Sequence, residues 1–281
     1  MKSILSTAKG ISQIPTNKLD VIMGFPGSGK TTLASTYPKP MLYVQIGDDG
    51  GGIVLKNWDD KDISFILLES DSEGTVYVKL MSLIDELEAS KGGEFKTLVI
   101  DAYSSIEENM ITIATSTKGK TLSWDERGAI TQALVTLRDR LVKLSKLTPI
   151  QVVEITHLKS TDSTDNITGE STIRYIPKMT QTNGNIMLER ANNVMYCARK
   201  VCQDKEGKPT VKFLTYLGAH PNIDTKFRYK SEQITSEHGV YIEDCTYDKI
   251  QELINGKLKT VEVIEPISEN PFNQKENNNQ W

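Results

Sequence analysis

The sequence lacks any uninterrupted apolar run approaching the roughly 20 residues that a membrane-spanning helix needs. Its first 19 residues carry an early lysine but no continuous apolar stretch, which argues against a secretory signal. Both absences make the cytosol the expected location. Cysteine is scarce, with three residues, Cys197, Cys202 and Cys245. Cys197 and Cys202 stand too far apart for a CxxC pair, and no histidine sits at a matching spacing. A zinc site or disulfide framework is therefore excluded in favour of reduced thiols. A basic excess is also missing. The net charge is −4, so any nucleic-acid contact is confined to a local patch.

Hydrophobic residues at 38% and charged residues at 25% of 281 suit one sizeable α/β domain with additions. Short apolar runs at 19–23, 41–46, 64–68, 97–101 and 150–156 read as strands. Residues 30–37 open as a helix that stops before Pro38. Val76, Leu80, Leu83, Ile84 and Leu87 keep a helical period. Leu134, Leu137, Leu141 and Leu144 do the same within a long helix spanning 124–147. Strands alternating with helices predict a mostly parallel sheet covered on both faces.

After His157 the texture changes. Residues 159–172 are rich in Ser, Thr, Asp and Gly and read as a mobile loop. Runs at 194–202 and 210–217 flank a polar Asp-Lys-Glu-Gly turn, the pattern of a hairpin, and 248–254 reads as a terminal helix. The expected organisation is a leader (1–17), a core (18–230), a C-terminal extension (231–264) and a disordered tail rich in Asn, Gln and Glu (265–281).

The most specific signal follows the first strand. Gly24, Phe25, Pro26, Gly27, Ser28, Gly29, Lys30 and Thr31 fit G-x-x-x-x-G-K-S/T, the P-loop, with Thr32 following into the helix. Its glycines let backbone N–H groups turn inward around phosphate oxygens. Lys30 places a point charge on the β- and γ-phosphates, and Thr31 offers a hydroxyl to Mg2+. The helix that starts here aims its positive end at the anion. The fourth strand, Leu98-Val99-Ile100-Asp101, has the apolar-then-acid form of a Walker B element, with Asp101 as the second metal-holding residue. Ala102 and Tyr103 follow it, which departs from the AAA pattern of adjacent acids. The second strand instead runs into Asp48 and Asp49 within a glycine-rich turn, which reads equally as an acidic turn shaped by its glycines. His157 ends the fifth strand, where a polar side chain can touch the γ-phosphate. An ordinary strand-end histidine is the alternative.

These pieces resemble the RecA-like P-loop ATPases of phages, in particular the Sak-type group linked to single-strand annealing. The resemblance rests on GFPGSGKTT, MLYVQIGDDGG, TLVIDAYSSI, the Trp124-Asp125 helix start, VVEITHLK, and ERANNVMYCARK with KFR ending at Arg228, in that order over roughly residues 15–230. It implies a RecA-like core with a small β-hairpin addition, ATP as ligand and a role in phage DNA metabolism in the host cytoplasm. It also implies a catalytic carboxylate after the second strand, Asp49 first and Asp48 second, where the family more often has Glu.

By the same resemblance, the loop after the sensor strand faces single-stranded DNA. Lys159, Arg174 and Lys178 are candidates for phosphate contact and Tyr175 for base stacking, beside the alternative of a solvated surface loop. A ring or filament of identical subunits would repeat that patch, with Arg199, Lys200 or Arg228 as candidates for a cation supplied to a neighbour's γ-phosphate. A single-strand-binding protein is a candidate partner. Two other functions fit the P-loop: a kinase for a nucleotide or small molecule, and a slow nucleotide-dependent switch acting through a partner. The kinase reading is the weaker, since residues 115–130 hold only Arg127 where an arginine-rich lid would be needed.

Overall fold

The computed structural model describes residues 17–47, 55–56, 60–116, 121–164, 171–203, 206–228, 234, 239–258 and 262–263. Six strands form its parallel centre: β1 (Leu19–Gly24), β2 (Met41–Ile46), β3 (Ile63–Leu68), β4 (Thr97–Asp101), β5 (Gln151–Thr164) and β7 (Asn193–Gln203). Their order across the sheet is β7-β1-β5-β4-β2-β3, and every neighbouring pair is parallel. β1, β2 and β4 are buried along their whole lengths. That burial is why they read as unbroken apolar runs and not as alternating ones.

Side chains of successive residues go to opposite faces. Val21 and Met23 join one core, with Leu42, Val44, Leu98 and Ile100. Ile22 joins the other, with Tyr43, Val99, Val153 and Met195. Helices α2 (Val76–Ala89), α3 (Ser104–Ser116), α4 (Trp124–Leu147) and α5 (Gln181–Glu189) supply side chains to the first core. Helices α1 (Lys30–Ser35) and α6 (Tyr247–Ile254) supply the second. In α4 a stripe of Ile130, Leu134, Leu137, Leu141 and Leu144 is buried. Its start is fixed by a capping box: Ser123 accepts from the Glu126 N–H, and Glu126 accepts from the Ser123 N–H at 2.8 Å. The sequence spacing predicts α4 with these same bounds. It gives no prediction for α3, whose apolar positions are interrupted by polar ones directly after β4.

Beyond β7 the sheet turns antiparallel. β7 pairs with β8 (Pro209–Leu217), β8 with β10 (Val240–Glu243), and β10 with β11 (Glu262–Val263). β9 (Lys226–Phe227) pairs with the start of β7. Helix α6 then folds back onto the sheet. Its Tyr247 ring lies 4.7 Å from that of Tyr37, and the Tyr247 N–H donates to Thr36 Oγ1 at 2.8 Å. The leader and the tail fall outside the described residues, apart from Asn17. Among the described residues, no helix is long and apolar enough to cross a membrane.

The expected mobile loop after His157 is corrected. β5 continues to Thr164 and pairs antiparallel with β6 (Ser171–Pro177), so residues 158–164 and 171–177 form a hairpin. Thr161, Thr172, Ile173, Tyr175 and Ile176 are β-branched or aromatic, which suits extended backbone. Polarity marks this arm as exposed, and exposure is compatible with a strand.

Candidate functional site

Because the central strands are parallel, their carboxyl ends share one edge, the usual place for a ligand in such sheets. Gly24 of β1 stands opposite His157 of β5 and Cys197 of β7. Asp101 of β4 stands opposite Ile155 of β5 and Gln45 of β2. The register therefore gathers Gly24, His157, Asp101 and Gln45 along one crest.

The loop from Gly24 to Lys30 requires its glycines. A Cβ on Gly24 would stand 2.3 Å from Ser28 Oγ and 2.5 Å from the Cys197 carbonyl oxygen. Gly27 and Gly29 have φ of +73° and +89°, the left-handed region that other residues rarely adopt. The loop closes with Ser28 N–H donating to Phe25 O at 3.2 Å, and α1 begins with Leu33 N–H donating to Gly29 O at 2.9 Å. Lys30 is 6% exposed, and its Nζ donates to Phe25 O at 3.0 Å, so the ammonium arches back over the loop. Thr31 Oγ1 lies 3.5 Å from Asp101 Oδ2. Asp101 is 3% exposed, and the same Oδ2 accepts a hydrogen bond from Tyr43 OH. Gln45 Nε2 donates to Gly47 O at 2.8 Å, which holds the chain as it leaves β2 toward Asp48 and Asp49. Those two carboxylates lie outside the described residues.

Burial pushes the Cys197 thiol, beside the loop, up to about 11, opposed by its hydrogen bond with Thr215 and then by the Lys30 charge. The thiol is therefore a neutral packing group at physiological pH. His157 is half-buried, and its carbonyl accepts from the Lys178 N–H at 2.8 Å, tying the base of the β5–β6 hairpin together.

The hairpin residues have mixed settings. Lys159 is exposed. Arg174 is ion-paired with Asp224, and Lys178 lies 3.7 Å from Glu108. The Tyr175 ring, expected as a platform for a base, is half-buried and meets the Phe25 ring of the P-loop edge to face at 5.3 Å.

The three cations considered for a neighbouring subunit are dispersed. Arg228 donates to the carbonyl of Glu189 at 3.2 Å, next to β9. That is the end of the sheet where Asn193 pairs with Asp20, opposite the P-loop edge. Lys200 is exposed on the face of the β7–β8 arm that carries Lys212. Arg199 is on the other face and lies against its own chain's loop, with Nη1 3.6 Å from where a Cβ on Gly27 would stand. Its side chain is exposed there. Sequence reasoning also passed over Tyr43 and Phe213. A tyrosine within the buried run MLYVQI was the available signal for the first. For the second, only the pairing of β8 with β7 reveals the contact.

A glycine loop between a buried strand and a helix, at the carboxyl edge of a mostly parallel sheet, defines a nucleotide-binding domain of the P-loop NTPase class. The chain belongs to the AAA domain family, which it matches over residues 17–229. No curated protein matches the chain. The absence of a second acid after Asp101 holds within this family assignment, since Ala102 and Tyr103 occupy those positions and are buried.

Proposed function

We propose that this protein is a magnesium-dependent ATPase with a RecA-like core, related to the Sak-type phage ATPases, and that it acts on single-stranded DNA in annealing or a recombinase-like step. The backbone N–H groups of the glycine loop would cradle the phosphates, and Lys30 would set its ammonium on the β- and γ-phosphates. Thr31 and Asp101 fit magnesium. Their oxygens lie 3.5 Å apart. Neighbouring ligands of an octahedral ion with bonds of about 2.1 Å stand roughly 3 Å apart. Among the described residues no cluster of three or more His, Cys, Asp or Glu side chains could hold a metal by itself, which suits an ion that takes most ligands from phosphate and water. When bound, the ion supplies neutralising charge on the triphosphate oxygens.

Asp49, with Asp48 second, is the proposed orienting group for water, and His157 the proposed contact to the γ-phosphate. Arg199, Lys200 and Arg228 are the candidates for a cation given to a neighbour in a ring or filament, and of these Arg199 lies beside its own subunit's loop.

The observation that carries the DNA reading is the continuity between the phosphate loop and the hairpin. His157 at the crest leads directly into the hairpin, and Phe25 of the loop touches Tyr175 on its return strand. A change at the γ-phosphate can therefore reach Lys159, Arg174 and Lys178 through two short routes. ATP hydrolysis measured with and without single-stranded DNA, at low and moderate salt, tests this. The reading expects stimulation that weakens as salt rises. ATP binding with no stimulation at either salt would point instead to a partner-dependent switch or a kinase.

A further inference from the structure

Arg199 and Phe213 are direct cross-strand partners on β7 and β8, so their side chains share one face of the arm. That face abuts the phosphate loop at two successive glycines. Arg199 Nη1 lies 3.6 Å from the Cβ position of Gly27, and Phe213 Cδ1 lies 3.1 Å from that of Gly29. A Cβ on Gly29 would stand closer to this ring than ordinary van der Waals contact allows, so the ring would have to shift by a few tenths of an ångström to admit one.

The Phe213 ring is nonetheless 40% exposed, and Val201 and Val211 continue an exposed apolar strip along the same face. An open aromatic face beside a phosphate cradle matches the two-part chemistry of a nucleotide, with anion and flat base joined by a sugar. The other aromatic at the loop, Phe25, already has Tyr175 against it.

We infer that the Arg199–Phe213 face is the nucleotide-recognition wall of this site: the base of a nucleoside triphosphate stacks on Phe213, and Arg199 contacts the phosphate chain of the same subunit. This rests on the nucleotide-binding reading of the P-loop and adds to it Phe213, which distinguishes a nucleotide from a bare polyphosphate, and Arg199, a further contact to the phosphates. Arg199 is then a binding residue acting in cis. The base of the arm is held in the sheet: β10 pairs with residues 214–217 of β8, and the Asp244 N–H donates to the Phe213 carbonyl at 2.8 Å.

The test is calorimetric titration of the full chain with ATP and with inorganic tripolyphosphate, both with magnesium, for wild type, Phe213→Ala, Phe213→Trp, Arg199→Ala and Arg199→Lys. Phe213→Ala is expected to weaken ATP binding by about tenfold, in the range of lost base stacking, while leaving tripolyphosphate unchanged. Phe213→Trp should restore ATP affinity. Arg199→Ala should weaken both ligands by the same factor, with Arg199→Lys intermediate.

Equal loss of both ligands in Phe213→Ala, or no loss of either, would overturn the inference. So would wild-type protein that binds both ligands equally well, since the base would then contribute nothing; the P-loop reading would stand. Wild-type protein that binds neither ligand would remove the phosphate site and this inference with it. A change of oligomeric state in Phe213→Ala without selective loss of ATP would assign the apolar strip to subunit contact and overturn the wall.

Discussion

Phe25 and Tyr175 meet edge to face, with ring centroids 5.3 Å apart and planes at 90°. One ring belongs to the phosphate loop and the other to the β6 strand of the projecting hairpin. Edge-to-face pairs contribute about 0.5–1.5 kcal/mol beyond the area they bury. Tyr175→Leu keeps much of the apolar area and removes that geometry. It should lower unfolding free energy by about 1 kcal/mol in urea titration, and it should reduce any stimulation of hydrolysis by DNA while basal hydrolysis persists. Unaltered stimulation in this variant would leave the contact a purely structural one.

Asp101 receives hydrogen bonds from Tyr43 and Thr31 at the same oxygen. Asp101→Asn preserves shape and removes the negative charge. ATP affinity in excess magnesium should fall at least about tenfold, the scale of one lost charge-assisted contact, and should become nearly indifferent to chelation of the metal. Affinity measured with and without a chelator checks this, and an intact magnesium dependence would remove Asp101 from the metal site.

Arg138 of α4 and Glu154 of β5 form a fully buried ion pair, and Arg138 also donates to the Met187 carbonyl. Burial raises the Glu154 carboxyl above the usual carboxylate range, with Arg138 opposing that shift. Removing one partner strands a charge in the core at a cost of about 3–5 kcal/mol. Arg138→Met should therefore be strongly destabilised in denaturant titration, and the double variant Arg138→Met with Glu154→Leu should recover most of the loss.

The buried Asp20 and the half-buried His220 set opposing pH dependences. Burial pushes the Asp20 carboxyl up to about 6 from 3.8, even though Tyr37, Asn193 and Gln151 donate to it at 2.8–2.9 Å. The folded state then holds a proton that the unfolded state has released between pH 4 and 6, so this group lowers stability as pH rises through that window. Burial pushes His220 down to about 4 from 6.5. Here the unfolded state holds the extra proton, so stability rises with pH over 4 to 6.5. Unfolding free energy followed from pH 4 to 7 should slope upward more steeply in Asp20→Asn than in wild type, and downward in His220→Phe. Parallel pH profiles in all three proteins would contradict these shifts.

The sequence was most readable where a single physical constraint dominates. The P-loop glycines, the strand before them and the leucine stripe of α4 each answer to one local rule: φ, two-sided burial or period. The hairpin of β5 and β6 reads as a loop in the sequence because it is rich in Ser and Thr, and such polarity resembles a loop. For Arg199 the sequence offers only a surface cation, with no indication of what it lies beside. Only the parallel pairing of β7 with β1 puts it beside Gly27, a contact between residues 172 positions apart. The role of Phe213 depends on such long-range pairing too, which leaves no local pattern, whereas Tyr43 stands out locally as a polar-tipped residue within a buried run.

The central claim is that Lys30 serves a nucleotide and not the core. Titration of ATP with magnesium into wild type and Lys30→Ala, each checked for folding by thermal melting, tests it most directly. Tight binding by wild type and its loss in a variant that still melts cooperatively is the expected result. Equal ATP affinity in a folded Lys30→Ala protein would contradict the account.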